Sequence, residues 1–351
     1  MVVRNVTLFR DALFSAHVNG PGHPERPERL AAIDAMLSET PFISKLVGRT
    51  APDATIDQIA RIHERSYIER MRRSSGNDRI YLDPDTSANR FTYAAAVRAA
   101  GAAVAAVDLA VSGEAPASFV LARPPGHHAE SAQAMGFCIF NSVAIGALHA
   151  IEHHHLERVA IIDWDVHHGN GTMHSLYNRK DVLYVSLHQY PHYPGTGSHD
   201  EIGSGDGEGY TVNLPLGSGM GDDEYLMLFR DIIIPVLDEY RPELLLVSAG
   251  FDAHRDDPLA EMMLTDTAFR GMTHALRAVA DRHAKGRLIH LLEGGYNLPA
   301  LASGVRTVLE AAAADVADST WPDSLPQQSS YIRWIEKNLK QALSPFWPCL
   351  R

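Results

Sequence analysis

Short apolar runs recur along this chain, and stretches with helical patterning separate them. VAIID and LLLVSAG are the clearest of these runs. An apolar run without polar alternation is typical of a parallel strand that is covered on both faces of its sheet. Such strands alternate with helical stretches over most of the chain. This alternation predicts one α/β domain over residues 1–351, with a parallel sheet and helices on both sides.

The same patterns give the approximate positions of the elements. We expect strands at Val3–Phe9, Ala117–Ala122, Arg158–Asp165, Val182–His188, Leu244–Ser248 and Arg287–Leu292. Apolar residues at helical spacing predict helices at Pro27–Glu39, Tyr93–Ser112, Asn141–His155, Asp222–Tyr240, Asp266–Arg282 and Leu298–Ala314. Residues 321–351 depart from this alternation. We interpret them as a C-terminal appendage that packs on the body, with a helix near Tyr331–Leu343.

Composition excludes some classes of function. The net charge is −12, whereas nucleic-acid binders usually carry a basic face, so we expect no nucleic-acid partner. No apolar stretch approaches the roughly 20 residues of a membrane span, and MVVRNVTLFR lacks the pattern of a signal peptide. Cys138 and Cys349 are the two cysteines, and reduced thiols are their simplest interpretation. We therefore expect a cytoplasmic protein without membrane association.

Polar residues follow one of the apolar strands in the segment DWDVHHGNGT. Asp163, Asp165 and His167 alternate along the chain, so their side chains are expected to project to one side. Two carboxylates and an imidazole at the end of a sheet suit a divalent metal, because buried carboxylates are costly without a cation. The alternative is a solvated loop with a capping aspartate and unrelated histidines.

Three other segments place reactive side chains after apolar strands. RPPGHHAE contains His127 and His128, and its Pro-Pro-Gly turn allows both imidazoles to face one site. LLLVSAGFDAH ends in Asp252, which is either a further metal ligand or a helix cap. LLEGGYN places Tyr296 at a strand end, although a core tyrosine is the commoner explanation for such a motif. His153, His154 and His155 are best interpreted as a solvated helix end, and Cys138 as a packing residue.

Taken together, these segments resemble the histone deacetylase family, and the resemblance extends from HPERPERLAAI to LEGGYN. DWDVHHGNGT is similar to the class II branch, because Asn170 stands where other members have aspartate. The resemblance implies the arginase/deacetylase fold with an eight-stranded parallel sheet. It also implies Zn²⁺ as the cofactor, and its ligands would be Asp165, His167 and Asp252. Fe²⁺ is an alternative for a site so rich in oxygen ligands.

The resemblance also implies roles for further residues. His128 matches the general base and acid, His127 its electrostatic partner and Tyr296 the group that stabilises the oxyanion, while Asp163 and Asn170 lie behind the two histidines. A structural K⁺ site matches Asp163, Asp165, His167, Ser186 and Leu187, and a second K⁺ site matches Leu176, Arg179, Val182 and Tyr210. The substrate tunnel matches Gly136, Phe137, Tyr193 and Leu259, and the acetate cavity matches Arg29.

These roles imply hydrolysis of an acyl-amine by metal-activated water. The substrate would be an acylated lysine in a peptide or protein, or an acylated small amine such as an acetylpolyamine. Leu259 falls where polyamine-deacetylating relatives can carry glutamate, and its apolar side chain favours acetyl-lysine or other uncharged acyl-amines over acetylspermidine. Two other readings stay open: a binuclear manganese hydrolase of the arginase type, and a catalytically silent acyl-binding module. Relatives occur as dimers and tetramers, so a homo-oligomer is also open.

Overall fold

A parallel sheet of eight strands forms the centre of the molecule. The computed structural model describes residues 5–314 and 330–351. The sheet contains β1 (Val6–Phe9), β2 (Leu46–Arg49), β5 (Ala117–Val120), β6 (Val159–Asp163), β7 (Val182–Gln189), β8 (Thr211–Leu216), β9 (Leu244–Ala249) and β10 (Leu288–Leu292). Its order is β2-β1-β5-β10-β9-β6-β7-β8. A separate antiparallel pair consists of β3 (Ile80–Tyr81) and β4 (Ser87–Ala88). The predicted fold class is confirmed.

The two strands of the eight-stranded sheet that the sequence did not predict, β2 and β8, lie at its two edges. Three residues of β2 are exposed, and the fourth is half-buried, so its sequence LVGR is not an apolar run. β8 is buried, but its sequence TVNLPL contains Asn213 and Pro215. Proline cannot donate to a ladder of hydrogen bonds and is tolerated in edge strands. The apolar signal is therefore strong only for the interior strands.

Helices cover both faces of the sheet, and each predicted helix is present. They are α1 (Ala12–Ala16), α2 (Glu28–Ser38), α3 (Ile56–Ile59), α4 (Arg65–Ser74), α5 (Thr92–Ser112), α6 (Ser142–Glu152), α7 (Asn170–Leu176), α8 (Asp222–Leu228), α9 (Ile234–Tyr240), α10 (Asp266–His283), α11 (Leu298–Ala313) and α12 (Ser330–Leu343). A π-helical segment at Phe229–Ile233 joins α8 to α9. The short helices α1, α3, α4 and α7 were not predicted, because a few turns carry little periodic signal.

Helix α5 contradicts the expectation that no apolar stretch approaches the length of a membrane span. Within the described residues, it is a helix long and apolar enough to cross a membrane by length and composition alone. Thirteen of its residues are buried, most of them alanine, and the helix packs along α6 and against the sheet. The core helix of a globular fold passes the same test, since both environments select small apolar residues.

The C-terminal appendage packs on the β8 edge of the sheet. Residues 321–329 of the predicted appendage lie outside the described residues, as do Val3 and Arg4 of the first predicted strand. Helix α12 contacts β8, and the Tyr331 hydroxyl donates to the Pro215 carbonyl at 3.2 Å. The Trp347 indole N–H donates to the Gly209 carbonyl at 2.8 Å. The appendage thus covers a strand whose outer edge has no strand partner among residues 5–314 and 330–351.

The strands that carry the reactive segments are neighbours in the middle of the sheet. β5, β10, β9 and β6 are adjacent in that order, although β7 and β8 separate β6 from β9 along the chain. All are parallel, so their carboxyl ends meet at one edge. β6 ends at Asp163, two residues earlier than predicted. Asp165 and His167 therefore lie on the loop beyond the strand.

Candidate active site

Asp165, His167 and Asp252 converge at the carboxyl edge of the sheet. Their candidate ligand atoms all lie within 4.8 Å of one another. His167 Nδ1 is 3.2 Å from Asp165 Oδ1 and 3.2 Å from Asp252 Oδ2. Both carboxylates are buried. Burial, and then the neighbouring Asp165, raise the pKa of Asp252, so this pair favours a cation between its members.

Backbone N–H groups fix the orientation of both carboxylates. Asp165 accepts from the N–H of His167 at 2.9 Å and from that of Gly294 at 2.8 Å. Asp252 accepts from the N–H of Val166 at 2.9 Å. A Cβ atom at Gly294 would overlap the Asp252 carboxylate, which explains why glycine follows the β10 strand. The backbone of these loops thus orients both carboxylates before any cation binds.

The donor set fits a single divalent transition metal. One imidazole and two carboxylates leave coordination positions open, as catalytic zinc sites do, and Fe²⁺ accepts the same ligands. A binuclear site would need a further set of bridging carboxylates. Among the described residues, the nearby carboxylate of Asp163 is instead directed to His127. The geometry therefore disfavours the arginase-type alternative.

The two adjacent histidines face this cluster with different partners. His127 Nδ1 is 3.0 Å from Asp163 Oδ2, and His128 Nδ1 is 2.8 Å from Asn170 Oδ1. Burial opposes the charged form of His127, but the carboxylates of Asp163 and Asp165 outweigh it and raise its pKa well above the usual value. Burial, followed by the positive charge of His127, lowers the pKa of His128 well below the usual value. The pair thus combines a charged and a neutral imidazole, with ring centroids 4.0 Å apart.

Tyr296 lines a small cavity together with His128 and His167. The loop that carries it is held by Asp257, whose carboxylate accepts from the N–H groups of Tyr296 at 2.6 Å and Asn297 at 3.1 Å. Arg29 lies 5.1 Å from the centroid of the Tyr296 ring. Its guanidinium donates to the Gly295 carbonyl at 2.7 Å. Arg29 is buried, which agrees with a place behind the cluster.

The predicted tunnel residues line one narrow cavity. Its volume is about 90 Å³, and its walls are Asp85, His128, Gly136, Phe137, His167, Tyr193, Leu259 and Tyr296. The Tyr193 ring lies 5.2 Å from that of His128, edge to face, and the Phe137 ring lies 5.8 Å from that of Tyr296. The aromatic rings of Phe137 and Tyr193 thus border the same cavity as His128, His167 and Tyr296.

Sequence reasoning missed several polar residues of the site. Asp85 lines the cavity, and Asp257 positions Tyr296. Buried Glu293 accepts from the N–H groups of Gly126 at 2.7 Å and His127 at 3.2 Å. Burial raises the pKa of Glu293 to about 7. These acidic residues lie in DPDTS, RDDP and LLEGG. No local pattern distinguishes them from ordinary acidic residues in turns.

A buried ion-pair network behind Arg29 was also missed. Arg29 lies 3.2 Å from Glu25, and the Arg123 guanidinium donates to the same carboxylate. All three side chains are completely buried. The charge of Arg123 keeps the pKa of Glu25 well below its usual range, although burial opposes this. The HPERPER segment is thus tied to the RPPG loop through Glu25.

The residues predicted to bind K⁺ lie along β7 and the loops beside it. Ser186 pairs with Asp163 of β6 in the sheet register, and Leu187 is buried beside it. The residues of the second predicted site lie at the opposite end of β7: Leu176 ends α7, Val182 begins β7 and Tyr210 precedes β8. The Arg179 guanidinium donates to Asp181 at 2.9 and 2.6 Å. Both K⁺ assignments stay predictions.

Cys138 is completely buried, and Cys349 is exposed; both are free thiols. Burial raises the pKa of the Cys138 thiol well above its usual value. A nucleophilic cysteine needs the opposite shift, because the thiolate is the reactive form. Cys138 therefore has the properties of a packing residue.

Known proteins share this fold and these segments. Residues 23–312 match the family model described as "Histone deacetylase domain". The chain is 39% identical to a histone deacetylase-like amidohydrolase of Pseudomonas aeruginosa, over 84% of this chain and 83% of that protein. It is 36% identical to a probable deacetylase of Archaeoglobus fulgidus, over 95% of this chain and 96% of that protein.

Solved structures agree with this result. The crystal structure of the HDA15 histone deacetylase domain superposes with a TM-score of 0.91 and 34% identity. The superposition covers 99% of this chain and 96% of that one. The fold, the convergent site and the family model lead to one conclusion: this chain belongs to the histone deacetylase family and is a deacetylase, a hydrolase of amide bonds.

Proposed function

We propose that the protein is a zinc-dependent deacetylase that removes acetyl or other short acyl groups from lysine side chains. The observation that carries the proposal is that His128, His167 and Tyr296 line one small cavity together. The ligands would be Asp165, His167 and Asp252. A metal held there would polarise the amide carbonyl and lower the pKa of a bound water.

His128 is suited to the proton transfers of amide hydrolysis. Its lowered pKa keeps the imidazole neutral, so its Nε2 can take a proton from the attacking water. Asn170 contacts Nδ1 and holds the ring in place. The same imidazole can then protonate the departing amine, which leaves poorly as an anion. His127, paired with Asp163, supplies a fixed positive charge beside this relay.

Tyr296 is proposed to donate a hydrogen bond to the oxyanion of the tetrahedral intermediate. Burial raises the pKa of Tyr296 well above its usual value, so the hydroxyl keeps its proton and stays a donor. Asp257 holds the backbone of this residue, and Arg29 lies beside its ring. A preorganised donor of this kind is worth roughly 3 kcal/mol of transition-state stabilisation.

The cavity favours an extended apolar stem with an acyl group at its tip. Phe137 and Tyr193 can flank such a stem, as aromatic faces pack well against methylene groups. Leu259 adds apolar surface to the wall. An acylated lysine combines these features, because its four methylene groups precede the amide.

One observation favours a second candidate substrate, an acetylated polyamine. Asp85 lines the same cavity, and its carboxylate could pair with a distal ammonium group. The acidic net charge of the chain, −12, would also attract a cationic substrate. Leu259 disfavours an acetylated polyamine, since its side chain offers no negative charge to the distal ammonium group. We therefore place the acylated polyamine second.

Other features of the protein stay predictions. Cytoplasmic location follows from composition and from the cysteine content, and structural K⁺ follows from the resemblance. The absence of nucleic-acid partners follows from the acidic charge. A homo-oligomer stays open, because no described surface identifies an interface.

A substrate panel with zinc-loaded enzyme tests the proposal. The panel compares an acetyl-lysine peptide, acetylputrescine, acetylspermidine and lysine peptides with longer acyl chains. We expect the highest kcat/KM for an acyl-lysine peptide. A clear preference for acetylspermidine would favour the second candidate.

Tyr296→Phe is the matched variant for the catalytic assignment, because it removes only the hydroxyl. We expect a fall in kcat of about 10²–10³-fold with unchanged metal content. Absence of turnover by the wild-type enzyme with either zinc or iron, across all acyl chains, would instead support a silent acyl-binding module.

A further inference from the structure

A second cluster of histidines with one carboxylate lies where α6 ends. It consists of Asp108 from α5, His149 from α6, and His153 and His154 just after that helix. Their candidate ligand atoms all lie within 4.8 Å of one another. His149 Nε2 is 2.7 Å and His154 Nε2 is 2.6 Å from Asp108 Oδ1. We call this group the surface His cluster.

Local sequence explains how the three imidazoles meet. His149 and His153 are four residues apart, so they share one face of the helix. The His153 N–H donates to the His149 carbonyl at 3.0 Å, so the last turn continues one residue beyond α6. The two rings stack with centroids 4.8 Å apart. His155 then adopts a left-handed conformation, φ 57°, and the chain turns away. The expected solvated helix end thus includes a buried partner, His149, and a carboxylate from α5.

We propose that the surface His cluster binds a divalent transition-metal ion, at a site separate from the catalytic cluster of Asp165, His167 and Asp252. Three imidazoles and one carboxylate form a four-ligand set of the kind that zinc and its neighbours prefer, whereas Ca²⁺ and Mg²⁺ prefer sets made of oxygen atoms. The site is accessible, since the Asp108 side chain is 47% exposed and that of His154 is 20% exposed. Such a metal would join α5 to the end of α6.

Arg61 competes with a metal at this site. Its Nη1 lies 3.0 Å from His149 Nδ1, and its Nε donates to Glu152 at 3.0 Å. Arginine only donates, so His149 Nδ1 accepts here, and the proton of the neutral ring is on Nε2. Coordination through Nε2 requires the proton to move to Nδ1. The Arg61 Nη1 must therefore leave His149 when the metal binds, and Glu152 offers a carboxylate that can retain the guanidinium.

The cluster and the catalytic site lie at opposite ends of α6. Asn141 caps the start of this helix and donates to Thr172 at 3.0 Å. The Thr172 N–H in turn donates to the His127 carbonyl at 3.1 Å, so the helix begins beside the catalytic histidines. From there, α6 runs for 11 residues, or about 16 Å at 1.5 Å per residue. A metal at the far end would therefore stabilise the fold without joining the reaction.

The test titrates Co²⁺ alone into enzyme whose catalytic cluster is already loaded with zinc. Calorimetry gives the stoichiometry and affinity, and the visible absorption of Co²⁺ reports nitrogen ligands. We expect one further equivalent to bind. His153→Asn and His154→Asn should each weaken this binding by at least about 10-fold. His155→Asn is the matched control, because it changes an adjacent histidine outside the cluster, and it should bind Co²⁺ like the wild type.

Arg61→Gln sharpens the assignment of His149. Glutamine can accept a hydrogen bond from His149 Nδ1–H and carries no charge, so we expect tighter binding of Co²⁺. All these variants should keep the wild-type kcat/KM and, without added metal, a similar melting temperature.

The proposal fails if the wild type binds no further equivalent, or if His155→Asn loses binding as much as His154→Asn. It also fails if the added Co²⁺ only replaces the catalytic zinc. In that case His153→Asn would bind Co²⁺ like the wild type, and Asp252→Asn would not bind it.

Discussion

The catalytic cluster and the surface His cluster use the same kinds of side chain but are held in different ways. Asp165 and Asp252 accept hydrogen bonds from backbone N–H groups, so their oxygens are oriented before any ligand arrives. Asp108 instead accepts from the rings of His149 and His154. A metal must break those bonds to bind. Burial and backbone donors, rather than residue type, therefore separate a preformed site from one that has to rearrange.

Chelation should give the largest contrast between the two clusters. We expect a chelator to remove metal from the surface His cluster first, without loss of activity, and then from the catalytic cluster, with loss of all measurable turnover. The preorganised and buried ligands of the catalytic cluster explain the order. Metal content and activity, measured on the same samples during dialysis, check it. Simultaneous loss of metal from both sites would contradict the proposed difference in preorganisation between the two clusters.

His128→Ala should give the next largest effect. The variant removes the group proposed to move protons, so we expect kcat/KM for an acetyl-lysine peptide to fall by about 10²–10⁴-fold. The catalytic metal should remain, because His128 is not one of its proposed ligands. His153→Asn, which alters the other cluster, should keep wild-type activity. An equal loss in both variants would contradict the separation of the two clusters.

Glu293→Gln tests the energetic cost of burying charge near the catalytic cluster. The pKa of Glu293 is raised to about 7 from 4.5, so the fold disfavours its ionised form. This penalty is absent well below pH 4.5, grows up to about pH 7 and is constant above that. Glutamine keeps the acceptor for the N–H groups of Gly126 and His127 but does not titrate.

Relative to Glu293→Gln, the wild type should therefore lose up to about 3 kcal/mol of unfolding free energy between pH 5 and pH 8. Denaturant unfolding of both proteins after metal removal measures this difference. If the unfolding free energies of the two proteins changed equally with pH across that range, Glu293 would not titrate as proposed. His155→Asn, which lies outside both clusters, is the reference variant: it leaves Glu293 in place and should show the same dependence of stability on pH as the wild type.

Leu259→Glu should produce the smallest effect, a change in substrate preference. The added carboxylate would face the cavity beside Asp85 and pair with a distal ammonium group. We expect the ratio of kcat/KM for acetylspermidine over acetyl-lysine peptide to rise by roughly 10-fold, which corresponds to about 1.4 kcal/mol. Leu259→Gln, similar in size but uncharged, is the control. An unchanged ratio would mean that Leu259 does not set the preference.

The sequence predicted the interior of the sheet better than its edges. β6 and β9 are apolar because helices cover both of their faces, and this burial leaves a direct trace in the sequence. β2 is largely exposed and β8 contains Pro215, so neither shows that trace. The same logic explains why α5 resembles a membrane helix: composition reports an apolar environment but does not say whether protein or lipid provides it.

The reactive segments were visible because each follows an apolar strand. Asp85, Asp257 and Glu293 were not, since each is an acidic residue in a turn with no local pattern. Their positions depend on contacts across the fold: Asp257 reaches the N–H of Tyr296, 39 residues further along the chain. His149 was missed for the same reason, because its relation to Asp108 depends on how α5 and α6 pack.

The sequence alone determined the α/β class, the interior strands and the reactive residues that follow them, because burial and strand ends leave local patterns. Tertiary structure decided which strands are neighbours. It placed β9 between β10 and β6 and so brought Asp252 to Asp165 and His167. It also decided the opposite pKa shifts of His127 and His128, since these depend on charges contributed by distant segments. A local pattern reports whether a residue is buried or exposed. Distances between charges on distant segments are set only when the chain folds.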